Sequence, residues 1–139
     1  MSVLLAFLLV FAPFEARAGC EDVEAAVLDS HVGWATTALR VGQQARVGEV
    51  YHLLRHDLDC LAGSGLETSN TDLFLALAAG ALEHGDEEAA MAALRAALVI
   101  RSDYRFPDLL VPADHGLHAA LERARAMGRD VAEIGRAHV

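Results

Sequence analysis

Residues 71–104 read TDLFLALAAGALEHGDEEAAMAALRAALVIRSDY, and the fold turns on them. Leu73, Phe74, Leu77, Ala78, Ala81 and Leu82 recur at steps of three and four, which is the apolar stripe of a helix beginning near Thr71. Asn70 or Thr71 can cap it, and Asp72 suits its electropositive first turn. His84-Gly85-Asp86 interrupts the pattern. Gly85 can take the left-handed conformation that closes a helix, and Asp86 can cap the next one. Glu87 and Glu88 then fall where a helix N-terminus favours negative charge. The second helix runs to about Arg101 through Ala90, Met91, Leu94, Ala97, Leu98 and Ile100. The stretch is therefore a tight antiparallel hairpin. Ala78 and Ala90 let the backbones approach, and Phe74 and Leu94 fill the space beside them.

The same stretch resembles a tetratricopeptide repeat, a helical hairpin of about 34 residues. Phe74 matches the large position of the first helix, Leu77 and Ala78 its leucine and small positions, and Gly85 the turn. Ala90, Leu94 and Ala97 match the small-large-small positions of the second helix. The chain departs from the pattern at Ala81, where the family has an aromatic residue, and at Ser102, where it has proline. The resemblance implies an α-solenoid fragment in which the inner face of the first helix lines a groove for a peptide or helix. The residues on that face are Asp72, Leu75, Ala79, Leu82 and Glu83. An ordinary alanine-rich hairpin in a non-repeat bundle uses the same residues, with that face packed on its neighbours. One repeat cannot bury its own faces, so flanking helices must serve as divergent repeats or caps.

Those flanks are helical too. Val23, Val27, His31, Trp34, Ala38 and Val41 form a stripe on a helix from about Glu21 to Val41. Val47, Val50, Leu54, Leu58 and Leu61 form another from about Arg46 to Ala62. Gly63-Ser64-Gly65 breaks the chain. After the hairpin, Pro107 and Pro112 exclude regular helix, and Phe106, Leu109, Leu110 and Val111 are expected to pin the connector to the core. A last helix begins near Asp114 with Leu117, Leu121 and Ala124 on one face. The expected class is all-α, with about five helices in antiparallel hairpins. The connector, Asp103 to His118, is similar to one seen in exported repeat proteins of GC-rich bacteria, which implies a role in the cell envelope.

Composition agrees. The chain has 139 residues with 6% aromatics and 3 prolines, the balance of a helical protein rather than a β-sandwich. All 11 basic residues are arginine and the net charge is −9, so no basic stripe offers itself to nucleic acid.

Residues 1–18, MSVLLAFLLVFAPFEARA, read as a secretory signal peptide ending in the small-x-small site Ala16-Arg17-Ala18. The apolar run is too short for a bilayer, which needs about 20 residues. Cys20 also raises a lipoprotein, although Arg17 stands where a lipobox has an aliphatic residue. A periplasmic or secreted location follows. In an oxidising compartment Cys20 and Cys60 read as one disulfide; two free thiols, or a lipidated Cys20 with Cys60 buried, are the alternatives. Residues 19–132 form the helical domain. Residues 133–139, EIGRAHV, match a common sequencing adapter translated in one frame, so a non-native tail on the N-terminal fragment of a longer protein is expected.

Little argues for chemistry. His52 and His56 stand four apart on a helix, and His115 and His118 three apart, spacings that can present two imidazoles to zinc or copper, but no third ligand is evident. His31, beside Trp34, reads as a histidine at the edge of the core. Capping explains Asp86-Glu87-Glu88, and Ser64 lies in a loop rather than a nucleophile elbow. No catalytic residue and no cofactor is expected. The sequence points to a non-enzymatic exported scaffold for protein–protein association, with a protein or peptide partner. The alternative is a small metal- or ligand-binding bundle using His52 and His56.

Overall fold

A computed structural model describes residues 20–61 and 71–137, with side chains to residue 129. The expected leader, the Gly63–Gly65 break and the side chains of the expected tail lie outside the described residues. The described chain is all-helical: α1 (Ala25–Arg40), α2 (Gln44–Asp59), α3 (Thr71–Glu83), α4 (Glu87–Ile100) and α5 (Leu117–Ala137). Helix boundaries follow local chemistry. Gly85 has φ +72 and ends the α3 segment, and Asp86 Oδ1 accepts the Ala89 N–H at 3.0 Å to start α4. Gly42, at φ +75, turns the chain between α1 and α2.

Two helix starts differ from expectation. α1 begins at Ala25 rather than Glu21, because Val23 makes an isolated parallel bridge to Leu61 and donates its N–H to the Cys60 carbonyl at 2.8 Å. The same end of the molecule carries the Cys20–Cys60 disulfide. α5 begins at Leu117 rather than Asp114, because the segment from Pro112 turns first and His115 Nδ1 accepts the Leu117 N–H at 3.0 Å.

α1 also presents a different face from the one expected. Leu28, Val32, Ala35, Ala38 and Leu39 are buried, whereas Val27, Trp34 and Val41 are exposed. Two apolar stripes interleave on this helix, and they share Ala38. The thinner stripe wins because Ala35 packs in one cluster with Ala76 of α3, where an indole has no room. Trp34 lies outside, against the His31 ring at 4.8 Å and under the Arg46 guanidinium at 5.6 Å. His31 is half-buried and donates from Nδ1 to Oδ2 of Asp57, a buried carboxylate on α2.

α3 is the centre of the molecule. Leu73 and Ala76 join α1 and α2 in one core cluster; Leu75, Ala78, Ala79 and Ala81 join α4, α5 and the connector in the other. Consecutive helices all touch. The odd-numbered helices also touch in turn, α1 with α3 and α3 with α5, while α2 and α4 do not meet. Ala78, Ala90, Leu94 and Ala97 are all fully buried, so small residues do line the α3–α4 contact. Among the described residues, no helix is long and apolar enough to cross a membrane.

Candidate functional site

The face expected to line a groove exists on α3, and the chain's own connector lies over it. Leu75 and Ala79 are 0% and 1% exposed, in one core cluster with Tyr104, Leu110 and Val111. Tyr104 lies near Asp72, whose charge helps raise the pKa of the phenol, and His115 near Glu83, whose charge favours protonation of the imidazole. The connector therefore runs along α3 from its first turn to its last. Leu75 and Ala79 are thus buried in the core of this fold. The physical reason is area: covering the apolar surface of that face stabilises the fold by roughly 25 cal/mol for each Å² removed from water.

The connector is held at several points. The Arg125 guanidinium of α5 donates to the Tyr104 carbonyl. Phe106 sits edge-on to Tyr104 at 5.9 Å and to His118 at 5.5 Å. Leu109 is the exception among its expected anchors: it has φ 63 and is 91% exposed. Burial pushes the Tyr104 phenol up to about 12; Asp72 adds to the rise and Arg101 opposes it. The Tyr104 hydroxyl has no hydrogen-bond partner among the described residues.

The connector leaves the end of the groove open. A cavity of about 580 Å³ lies between the α1–α2 turn, the α3–α4 turn and the start of α5. Leu39, Val47 and Leu82 give it apolar surface; Glu83, Glu87 and Asp114 bring three carboxylates, and Arg123 one guanidinium. Burial lowers the pKa of His115 on its wall, with Glu83 and Asp114 opposing and His118 adding to the effect. Of the five expected groove residues, Leu82 and Glu83 line this cavity, and exposed Asp72 lies at the opposite end of α3.

The histidine pairs do not assemble as their spacings allowed. His52 packs its ring against His84 at 4.7 Å, and His84 lies against Tyr51 at 5.3 Å. His56 instead turns toward the C-terminal end of α2, with Nε2 at 3.7 Å from Cys60 Sγ. His118 Nε2 donates to the Pro112 carbonyl at 3.0 Å, and His115 Nδ1 is occupied by Leu117. Sequence reasoning missed the pairing of His31 with Asp57, the contact of His84 with His52, and the approach of His56 to the cysteines. The signal for the last was there, since Cys60 stands four residues after His56, just past the end of α2.

Comparison with family models, with curated proteins and with solved structures finds no match.

Proposed function

We propose that this protein is a non-enzymatic helical scaffold that works outside the cytoplasm, in the bacterial cell envelope, and binds a protein or peptide partner. The reading rests chiefly on the open cavity at the end of α3, where Leu39, Val47 and Leu82 meet three carboxylates. An apolar floor with a few convergent charges is the usual form of a recognition site. Its charge suits a segment that carries one arginine or lysine beside an apolar anchor. Two other observations support it. The alternating order of helix contacts and the alanine-lined α3–α4 contact are what a tetratricopeptide-like hairpin stack requires. The Cys20–Cys60 disulfide favours an oxidising compartment and so an export signal in residues 1–18.

Selection of a random displayed peptide library on the purified protein tests this reading. Enriched sequences should carry a basic residue next to an apolar one, and Glu83→Arg should abolish their binding while the helical spectrum stays intact. Enrichment that is indifferent to Glu83→Arg, or no enrichment at all, would count against the cavity as a docking site. The alternative, a metal-binding bundle built on His52 and His56, is not favoured by the separate partners of those two imidazoles.

A further inference from the structure

We propose that Cys20, His56 and Cys60 form a metal site that opens when their disulfide is reduced, and that it takes one thiophilic tetrahedral cation such as zinc. The two sulfurs and His56 Nε2 all lie within 4.8 Å of one another. A tetrahedral ion with Zn–S of about 2.3 Å and Zn–N of about 2.0 Å places its ligand atoms roughly 3.5–3.8 Å apart. His56 Nε2 and Cys60 Sγ already stand at 3.7 Å. His56 lies in the last turn of α2 and Cys60 is the residue that ends it, four positions on, so the two can chelate without bending the helix. Cys20 and Cys60 have a Cα–Cα distance of 5.5 Å, so rotation about their Cα–Cβ bonds is enough to set the two sulfurs at the required separation.

The site does not depend on the disulfide for its third ligand. The hydrogen bond from the Val23 N–H to the Cys60 carbonyl, and the Val23–Leu61 bridge, hold the segment after Cys20 against the end of α2. Reduction therefore leaves Cys20 beside its partners. Cys60 is buried, Cys20 partly buried and His56 exposed, so the three ligands sit at the rim of the described fold. Three protein ligands leave a tetrahedral ion one position to complete with water or an outside donor.

The chemistry balances with a dithiol as reductant. Its two thiols pass two electrons and two protons to the Cys20–Cys60 bond, leaving the reductant as a disulfide and the protein with two thiols. A divalent cation then displaces one proton from each thiol and binds two thiolates and the neutral imidazole, giving a site of zero net charge. Oxidation reverses the sequence and releases the ion. The pair of cysteines thus exchanges a covalent staple for a metal one, and the state of the site reports the redox poise around it.

Cobalt(II) is the probe. The full chain, reduced with a phosphine, should bind one equivalent with the absorption of tetrahedral cobalt–thiolate, and zinc should displace it. The oxidised chain should show neither. Zinc should also shield both cysteines of the reduced chain from alkylation. His56→Ala retains both cysteines and should weaken binding on the order of 100-fold, since even an outer-shell change costs 10–100-fold. His52→Ala should bind as the parent does. The proposal is overturned if the reduced chain gives no tetrahedral spectrum, or if His56→Ala binds as tightly as the parent. It is equally overturned by a reduced chain that loses its helical spectrum and does not regain it with zinc.

Discussion

Gly80 of α3 lies so close to Tyr51 of α2 that a Cβ built on Gly80 would fall within 3.0 Å of the Cβ, Cγ and Cδ1 of the tyrosine. At Gly80, α3 therefore comes close to α2 of the preceding hairpin, in addition to packing on its own partner α4. Two effects compete at this position. Alanine is favoured over glycine inside a helix by about 1 kcal/mol. Overpacking costs about 1–3 kcal/mol, and here the obstacle includes the root of the Tyr51 side chain, which cannot swing aside. Overpacking wins, and Gly80→Ala should lower stability by up to about 2 kcal/mol, the difference between the two. Urea unfolding checks the sign: a variant more stable than the parent would show that α2 and α3 can separate at no cost.

His31 and Asp57 join α1 to α2, and Asp57 is 3% exposed. Asp57→Ala leaves the half-buried imidazole without its acceptor, and loss of such a partner costs about 1–3 kcal/mol. Asp57→Asn keeps an acceptor and should cost less. A double-mutant cycle with His31→Ala should return a coupling of about 0.5–3 kcal/mol. Additive losses would mean that the two side chains act independently.

These two contacts mark how far the sequence could be read. The α3–α4 hairpin was legible because its signals are local: Gly85 and Asp86 set the turn through their own backbone and side chain. The face of α1 was not, since its two interleaved stripes are equally periodic and only the narrow gap beside Ala76 chooses between them. The α3 face of Asp72, Leu75, Ala79, Leu82 and Glu83 was found, but its fate depends on Tyr104, Leu110 and Val111, some 30 residues on, through packing that no local pattern encodes. The cysteine pair was legible from parity and compartment. His56 was noticed, yet matched with His52, because a helical residue has neighbours four positions away in both directions, and only the fold shows which one Cys20 approaches.

Tyr104 predicts a loss of stability in alkali. Its pKa is about 12 in the fold against an ordinary 10.0. A raised folded value means the fold favours the neutral phenol, so its contribution is whole below the unfolded value and is lost as pH rises from there through the folded one. Tyr104→Phe keeps the ring, removes an unpartnered hydroxyl and should leave neutral stability equal or higher. The alkaline decline should be shallower in the variant. Denaturant unfolding at increasing pH compares them; equal slopes would assign the alkaline loss to other groups.

His115 predicts the opposite limb. Burial holds its pKa below the ordinary 6.5, and Glu83, His118 and Asp114 are the charged or titratable groups acting on it. A depressed folded value means the fold favours the neutral imidazole, so its contribution is present above the unfolded value and is lost as pH falls through the folded one. Protonation at Nδ1 would also remove the acceptor for the Leu117 N–H and so uncap α5 where the connector joins it. His115→Asn offers an oxygen in place of Nδ1 and does not titrate. It should therefore match the parent at neutral pH, within about 1 kcal/mol for an exchanged cap, and lose less stability in mild acid. Hydrogen exchange of the first α5 amides reads the same event locally, with parent amides losing protection on acidification and those of the variant holding it. Parallel acid loss in both proteins would remove His115 from the account and leave the carboxylates at the cavity rim to explain it.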